Sequence, residues 1–152
     1  MASGGREGSD LVLGGFMGSM LGCQLKASEA GVPTVAVGGW RSANGAKASE
    51  ATWFSVSLTR STAPWAFTRS EPFCTIAALE LLASLQGLMV LVPEGAAAGE
   101  TSAVLTLSCG MDNHGNTYLL DRMLTTKYSL GVVLMELAHQ MRRRRLVLRA
   151  NW

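Results

Sequence analysis

The 152-residue chain has few of the residues that build metal clusters, disulfide frameworks and charged coils. It contains three cysteines, two histidines and three aspartates, and only 16% of its residues are charged. The cysteines are odd in number, widely spaced and without a C-x-x-C pair, which argues against a disulfide framework or a zinc site and favours a reducing, intracellular location. The low charge excludes a disordered chain or a charged coiled coil.

Long apolar runs are also missing. The most apolar stretch, residues 76–92, is shorter than the ~20 residues that span a bilayer and contains Glu80 and Gln86. We therefore expect a buried helix of a soluble protein and no membrane partner. Residues 1–20 are glycine-rich and lack both the basic start of a signal peptide and a phosphate-binding fingerprint. We predict a flexible leader over 1–20 and one domain over 21–152.

The charges are unevenly distributed along the chain. Residues 121–152 contain seven basic and two acidic side chains, a net charge of +5, whereas the first 120 residues carry −3. A basic segment suits an anionic partner such as nucleic acid. The same arginines would also complement the dipole of a helix C-terminus. The composition leaves both interpretations open.

Hydrophobic patterning predicts the order of the secondary-structure elements. Three extended segments come first, with Asn44-Gly45 as a hairpin connection, and helices then alternate with strands. The predicted strands are residues 21–27, 33–40, 52–59, 103–111 and 146–149, and the predicted helices are residues 73–89, 116–124 and 130–143. Ser129 is the expected N-cap of the last helix. An antiparallel three-strand meander followed by helix, strand, helices and strand predicts a mixed α/β fold with helices packed on a mixed sheet.

Two carboxylates are candidates for chemistry. Glu80 is a single acid in an apolar helix, and because acids are rarely buried without a partner, it must turn outward, pair with a base or face a site. Asp112 follows a predicted strand, where open α/β sheets place their sites. Two such carboxylates could bind divalent cations that activate water for attack on phosphate. No Ser-His-Asp or Cys-His arrangement competes, and Cys109 is interpreted as a buried thiol.

The helix segment Ile-Ala-Ala-Leu-Glu-Leu-Leu-Ala at residues 76–83 and the strand-end pair Asp112-Asn113, in this order of elements, look like the ribonuclease H domains of reverse transcriptases in retroelements. The resemblance covers residues 22–152. It implies a ribonuclease H-like fold without its final helix, as part of a larger polyprotein. It also implies metal-dependent hydrolysis of the RNA strand of RNA–DNA hybrids, with Glu80 and Asp112 as catalytic residues and ligands of Mg²⁺ or Mn²⁺.

The chain departs from the family pattern at two further carboxylates. Gln24-Leu25-Lys26-Ala27-Ser28 stands where the first strand of the family has an aspartate in a D-A-x-A-S-like run. The last aspartate would follow the final strand, beyond Trp152. Glutamine has no charge and is a weak metal ligand. The resemblance therefore implies weak metal binding and weakened or lost hydrolysis.

Several polar and basic residues are candidates for nucleic-acid contact. Asn113 and Asn116 are expected to contact ribose hydroxyls, or alternatively to cap the following helix. Phosphate contacts are expected from Arg142, Arg143, Arg145 and Arg149. Two alternatives remain: a non-catalytic nucleic-acid-binding module on the same fold, and a protein-interaction module in which the apolar stripe of residues 130–141 docks a partner.

Overall fold

The computed structural model describes residues 34–43, 46–67, 75–94, 104–111 and 113–151, together with the backbone of residues 11–14. Within these ranges five strands form one sheet in the order β3-β2-β1-β4-β5. The strands are β1 (Leu11–Gly14), β2 (Val35–Ala43), β3 (Thr52–Leu58), β4 (Leu105–Gly110) and β5 (Leu146–Asn151). β1, β2 and β3 are antiparallel neighbours, whereas β1, β4 and β5 run parallel. The predicted mixed α/β class is confirmed.

The central strand of the sheet lies inside the segment predicted to be a leader. β1 pairs with β2 on one side and with β4 on the other, so Gly14 stands beside both Trp40 and Gly110. The prediction of a flexible leader is therefore wrong for residues 11–14. Strands on both sides of β1 pair with its peptide groups. A central strand of this kind does not require alternating apolar and polar residues, so its sequence shows no strand signal. The strand predicted at residues 21–27, with Gln24, lies outside the described residues, as does the Asn44-Gly45 connection.

Three helices follow, close to their predicted positions: α1 (Ile76–Leu91), α2 (His114–Arg122) and α3 (Tyr128–Arg143). α2 begins two residues earlier than predicted because the side chain of Asn113 caps it, accepting a hydrogen bond of 2.9 Å from the Gly115 backbone. The capping alternative for Asn113 is thus confirmed. α3 begins at Tyr128 with Lys127 as N-cap, so the prediction of Ser129 as N-cap is wrong.

All three helices pack on one face of the sheet. Alternate residues of the strands, such as Val37 on β2, Leu107 on β4 and Leu148 on β5, are buried with the helices in the core. The apolar stripe of α3 is part of this core: Leu130, Val133, Leu134 and Leu137 are buried. The interaction-module alternative required that stripe to be exposed, and the structure contradicts it.

The opposite face of the sheet carries small, polar and aromatic residues. Trp40 and Trp53 are direct cross-strand partners there, and Trp53 is 74% exposed. On the same face, Val147 and Arg149 of the edge strand β5 are exposed. In β2, β4 and β5, the described helices therefore cover one row of side chains, and the other row faces outward.

Candidate functional site

Glu80 lies in the middle of α1 and is buried, with only 5% of its surface exposed. The helix is apolar on nearly its whole circumference, and the residues before and after Glu80 are fully buried leucines, Leu79 and Leu81. Of the alternatives considered for Glu80, an outward-facing side chain is therefore excluded. A buried carboxylate must be satisfied by hydrogen bonds or by opposite charge.

Both oxygens of the Glu80 carboxylate accept hydrogen bonds from the segment that starts α2. Oε1 accepts from the backbone N–H of Asn113 at 2.8 Å, and Oε2 accepts from the side-chain amide of Asn116 at 2.7 Å. Because β4 ends at Gly110, these contacts bring Glu80 to the carboxyl edge of the sheet. This is the edge where sheets of this kind place their sites.

Asn116 is not at the surface. It is 1% exposed, and its side-chain amide nitrogen donates to the carbonyl oxygen of Ala77 at 2.9 Å as well as to Glu80. Both hydrogens of the amide are thereby used inside the protein. The prediction that Asn116 contacts ribose is wrong for this structure, because the helix turn that follows Asn113 directs its side chain against α1. Asn113 is half-buried at the edge of this cluster.

Asp112 lies outside the described residues. Its neighbour Asn113 is the residue whose backbone N–H binds Glu80. Glu80 is therefore hydrogen-bonded to the residue that follows Asp112 in the sequence. The pairing of Glu80 with Asp112 itself stays a prediction.

Glu80 is chemically suited to a hard divalent cation, but it does not make a site alone. Carboxylate oxygens are among the ligands that hard divalent cations prefer. Among the described residues, no group of three or more His, Cys, Asp or Glu side chains could hold a metal ion. Mg²⁺ is often held by one or two carboxylates together with substrate phosphates. Glu80 supplies one such ligand, and Asp112 is the predicted second.

Three of the predicted arginine contacts, Arg142, Arg143 and Arg145, lie at the other edge of the sheet, where β5 begins. Arg142 and Arg143 end α3, and the carbonyl oxygen of Arg145 accepts from Leu105, the first residue of β4. With about 3.3 Å per strand residue, this edge is about 20 Å from the carboxyl end of β5. Arg149 is exposed on the helix-free face. The structure thus does not bring these arginines together with Glu80.

A different pair of basic residues shares a pocket with Asn113 and Asn116, the hydrogen-bond partners of Glu80. A pocket of about 390 Å³ opens between α2 and the start of α3, beside the Asn113–Asn116 turn. Arg122 and Lys127 line it, and both are exposed. The sequence held a signal for the separation of the arginine run from the predicted site. The run precedes one predicted strand, whereas Asp112 follows another. If the two strands are parallel, the start of one and the end of the other lie at opposite edges of the sheet.

Comparisons with known proteins give no relative from which a role could be transferred. No family model, no curated protein and no solved structure matches the chain. None of the helices in the described ranges is long and apolar enough to cross a membrane.

Proposed function

We propose that the chain is a ribonuclease H-like nucleic-acid domain of a reverse-transcribing element. The observation that carries the proposal is the buried Glu80, held by hydrogen bonds to the turn after β4 in a mixed sheet. An antiparallel meander followed by helix, strand, helices and strand is the arrangement that the family resemblance implies. Independent support comes from the pocket with Arg122 and Lys127, which puts positive charge at the same edge.

In this proposal an RNA–DNA hybrid lies across the carboxyl edge of the sheet. Arg122 and Lys127 would neutralise backbone phosphates, and their contribution would weaken with salt. Glu80 and Asp112 would hold Mg²⁺ or Mn²⁺, and the ion would supply an activated water and charge stabilisation at the scissile phosphate. Uncharged Gln24 stands where the family pattern has its first aspartate, so we expect slow hydrolysis or none.

Binding without hydrolysis is the second candidate function. It is favoured by the hydrogen bonds that Glu80 accepts from Asn113 and Asn116, because they give this carboxylate a structural role that needs no metal. The two candidates share the same surface and differ only in chemistry.

A binding and cleavage assay on a labelled RNA–DNA hybrid tests both. We expect binding at low salt, with slow or absent cleavage in Mg²⁺ or Mn²⁺ and a further loss of any cleavage in Asp112→Asn. The matched control is Asp121→Asn, which makes the same change in charge at an exposed carboxylate on α2 and should not reduce cleavage. Absence of hybrid binding at low salt would contradict the proposed function. Rapid cleavage that Asp112→Asn abolishes would contradict the expected weakness.

A further inference from the structure

Asn116 connects two helices through one side chain. It is the third residue of α2, and its amide nitrogen bonds both the Ala77 carbonyl and the Glu80 carboxylate, which lie one turn apart on α1. Both partners are acceptors, so only the nitrogen of the amide can face them. The orientation of this side chain is therefore determined by chemistry as well as by packing.

The contacts of Glu80 divide its two oxygens between two donors of different kind. The backbone N–H of Asn113 binds Oε1, and the side chain of Asn116 binds Oε2. Two donors on opposite oxygens fix its plane, and hydrogen bonds to a charged group are the strong ones.

We propose that Asn116 is a positioning residue for Glu80. It fixes the plane of the carboxylate and, through it, holds the backbone of Asn113, the residue that directly follows Asp112. The relevance of this role to catalysis rests on the function proposed above. In that function, a fixed carboxylate keeps the geometry that a substrate and an ion require.

The exchange rate of the Asn113 backbone amide tests the proposal by nuclear magnetic resonance. In Asn116→Ala the Glu80 carboxylate loses one anchor, so we expect the Asn113 amide to exchange on the order of tenfold faster or more. Gln140→Ala is the matched control. Gln140 is another buried amide that donates to a carboxylate, that of Glu136 at 2.6 Å, but it lies on α3 among the contacts of Arg144. It should leave the Asn113 amide unchanged.

A purely structural role of Asn116 predicts a different result. If Asn116 only ties α2 to the Ala77 carbonyl, both variants lower stability and neither changes the Asn113 amide selectively. An unchanged Asn113 amide in folded Asn116→Ala would therefore overturn the proposal.

Glu80→Gln provides a second route if Asn116→Ala does not fold. Glutamine keeps one oxygen for Asn113 and presents a donor to Asn116, so the side-chain amide of Asn116 should exchange faster. The same rate in Glu80→Gln and the wild-type protein would count against the proposal. Hybrid binding of the wild-type protein is measured in parallel. Loss of that binding contradicts the proposed function, whereas the amide exchange alone decides the positioning role.

Discussion

The thiol of Cys109 lies on the helix-covered face of β4, completely buried beneath α1. It donates a weak hydrogen bond to the hydroxyl of Ser84 at 3.8 Å. Burial raises the pKa of the Cys109 thiol to about 11; the Ser84 hydrogen bond opposes this rise and the charge of Glu80 adds to it. The prediction of a buried thiol is confirmed, and such a thiol is a poor nucleophile.

This pKa predicts how stability depends on pH. Below pH 9 the thiol is protonated in both states and contributes no pH dependence. Above pH 9 the unfolded chain releases the proton and the folded protein holds it until about pH 11, so the free energy of unfolding must fall in this window. Two pKa units correspond to about 2–3 kcal/mol.

Urea unfolding at pH 8, 9, 10 and 11 measures this loss. Lysines and tyrosines titrate in the same range, so the comparison is with Cys109→Ala, which retains their contributions. We expect the wild-type protein to lose more stability than the variant between pH 9 and 11. Parallel curves for the two proteins would show that the thiol does not titrate as its burial requires.

Glu80 and Asn116 differ in how far sequence could reveal them. A lone carboxylate in an apolar helix is conspicuous, because burial of an acid needs compensation. A lone asparagine near a helix start has an ordinary explanation as a cap. The role of Asn116 depends on α1 crossing close to α2, and nothing near Asn116 in the sequence encodes that crossing.

At the level of elements, those with a strong local pattern were predictable and the central strand was not. α3 has the helical spacing of its buried residues, and β3 alternates from residue 53 onward between exposed positions and positions that are half-buried or, at Leu58, buried. β1 has only the four residues Leu-Val-Leu-Gly and is followed by a second glycine. Its strand conformation comes from pairing with β2 and β4, which are distant in the chain.

The arginine run at the end of α3 separates into one structural residue and its exposed neighbours. Arg144 is 5% exposed, and its guanidinium bonds the carbonyl oxygen of Val92 at 3.0 Å and the side chain of Gln140. Arg143 is exposed and forms an ion pair of 2.8 Å with Glu94. Arg144 therefore ties the end of α3 to the end of α1.

Alanine substitution should distinguish these two neighbours. Arg144→Ala leaves a buried carbonyl and a buried amide without their donor, and we expect a loss of about 3 kcal/mol in the free energy of unfolding. Arg143→Ala breaks a surface ion pair and should cost less than about 1 kcal/mol. Chemical denaturation of both variants measures the difference. Equal losses would mean that the buried contacts of Arg144 add no stability.

For the whole molecule, the charge distribution matters more than its total. The net charge of +2 combines a basic C-terminal segment with an acidic remainder. Folding divides that basic segment further. Arg122 and Lys127 line the pocket beside Asn113 and Asn116, whereas Arg143 and Arg145 lie near the amino ends of β4 and β5. A hybrid bound at the proposed site would contact the first pair directly.

Two double variants with the same change in net charge test which edge binds the hybrid. Arg122→Gln with Lys127→Gln removes two charges at the proposed edge, and Arg143→Gln with Arg145→Gln removes two at the other. Each lost phosphate contact lowers the slope of log K against log salt by about 0.9 for a duplex, so we expect a decrease of about 1.8 for the first pair. The second pair lowers the net charge by the same amount, but it lies away from the proposed binding surface. We therefore expect it to change the slope less. A larger decrease for Arg143 and Arg145 would place the hybrid at the amino ends of β4 and β5. Glu80 would then lie outside the bound surface, and its carboxylate would serve the fold alone.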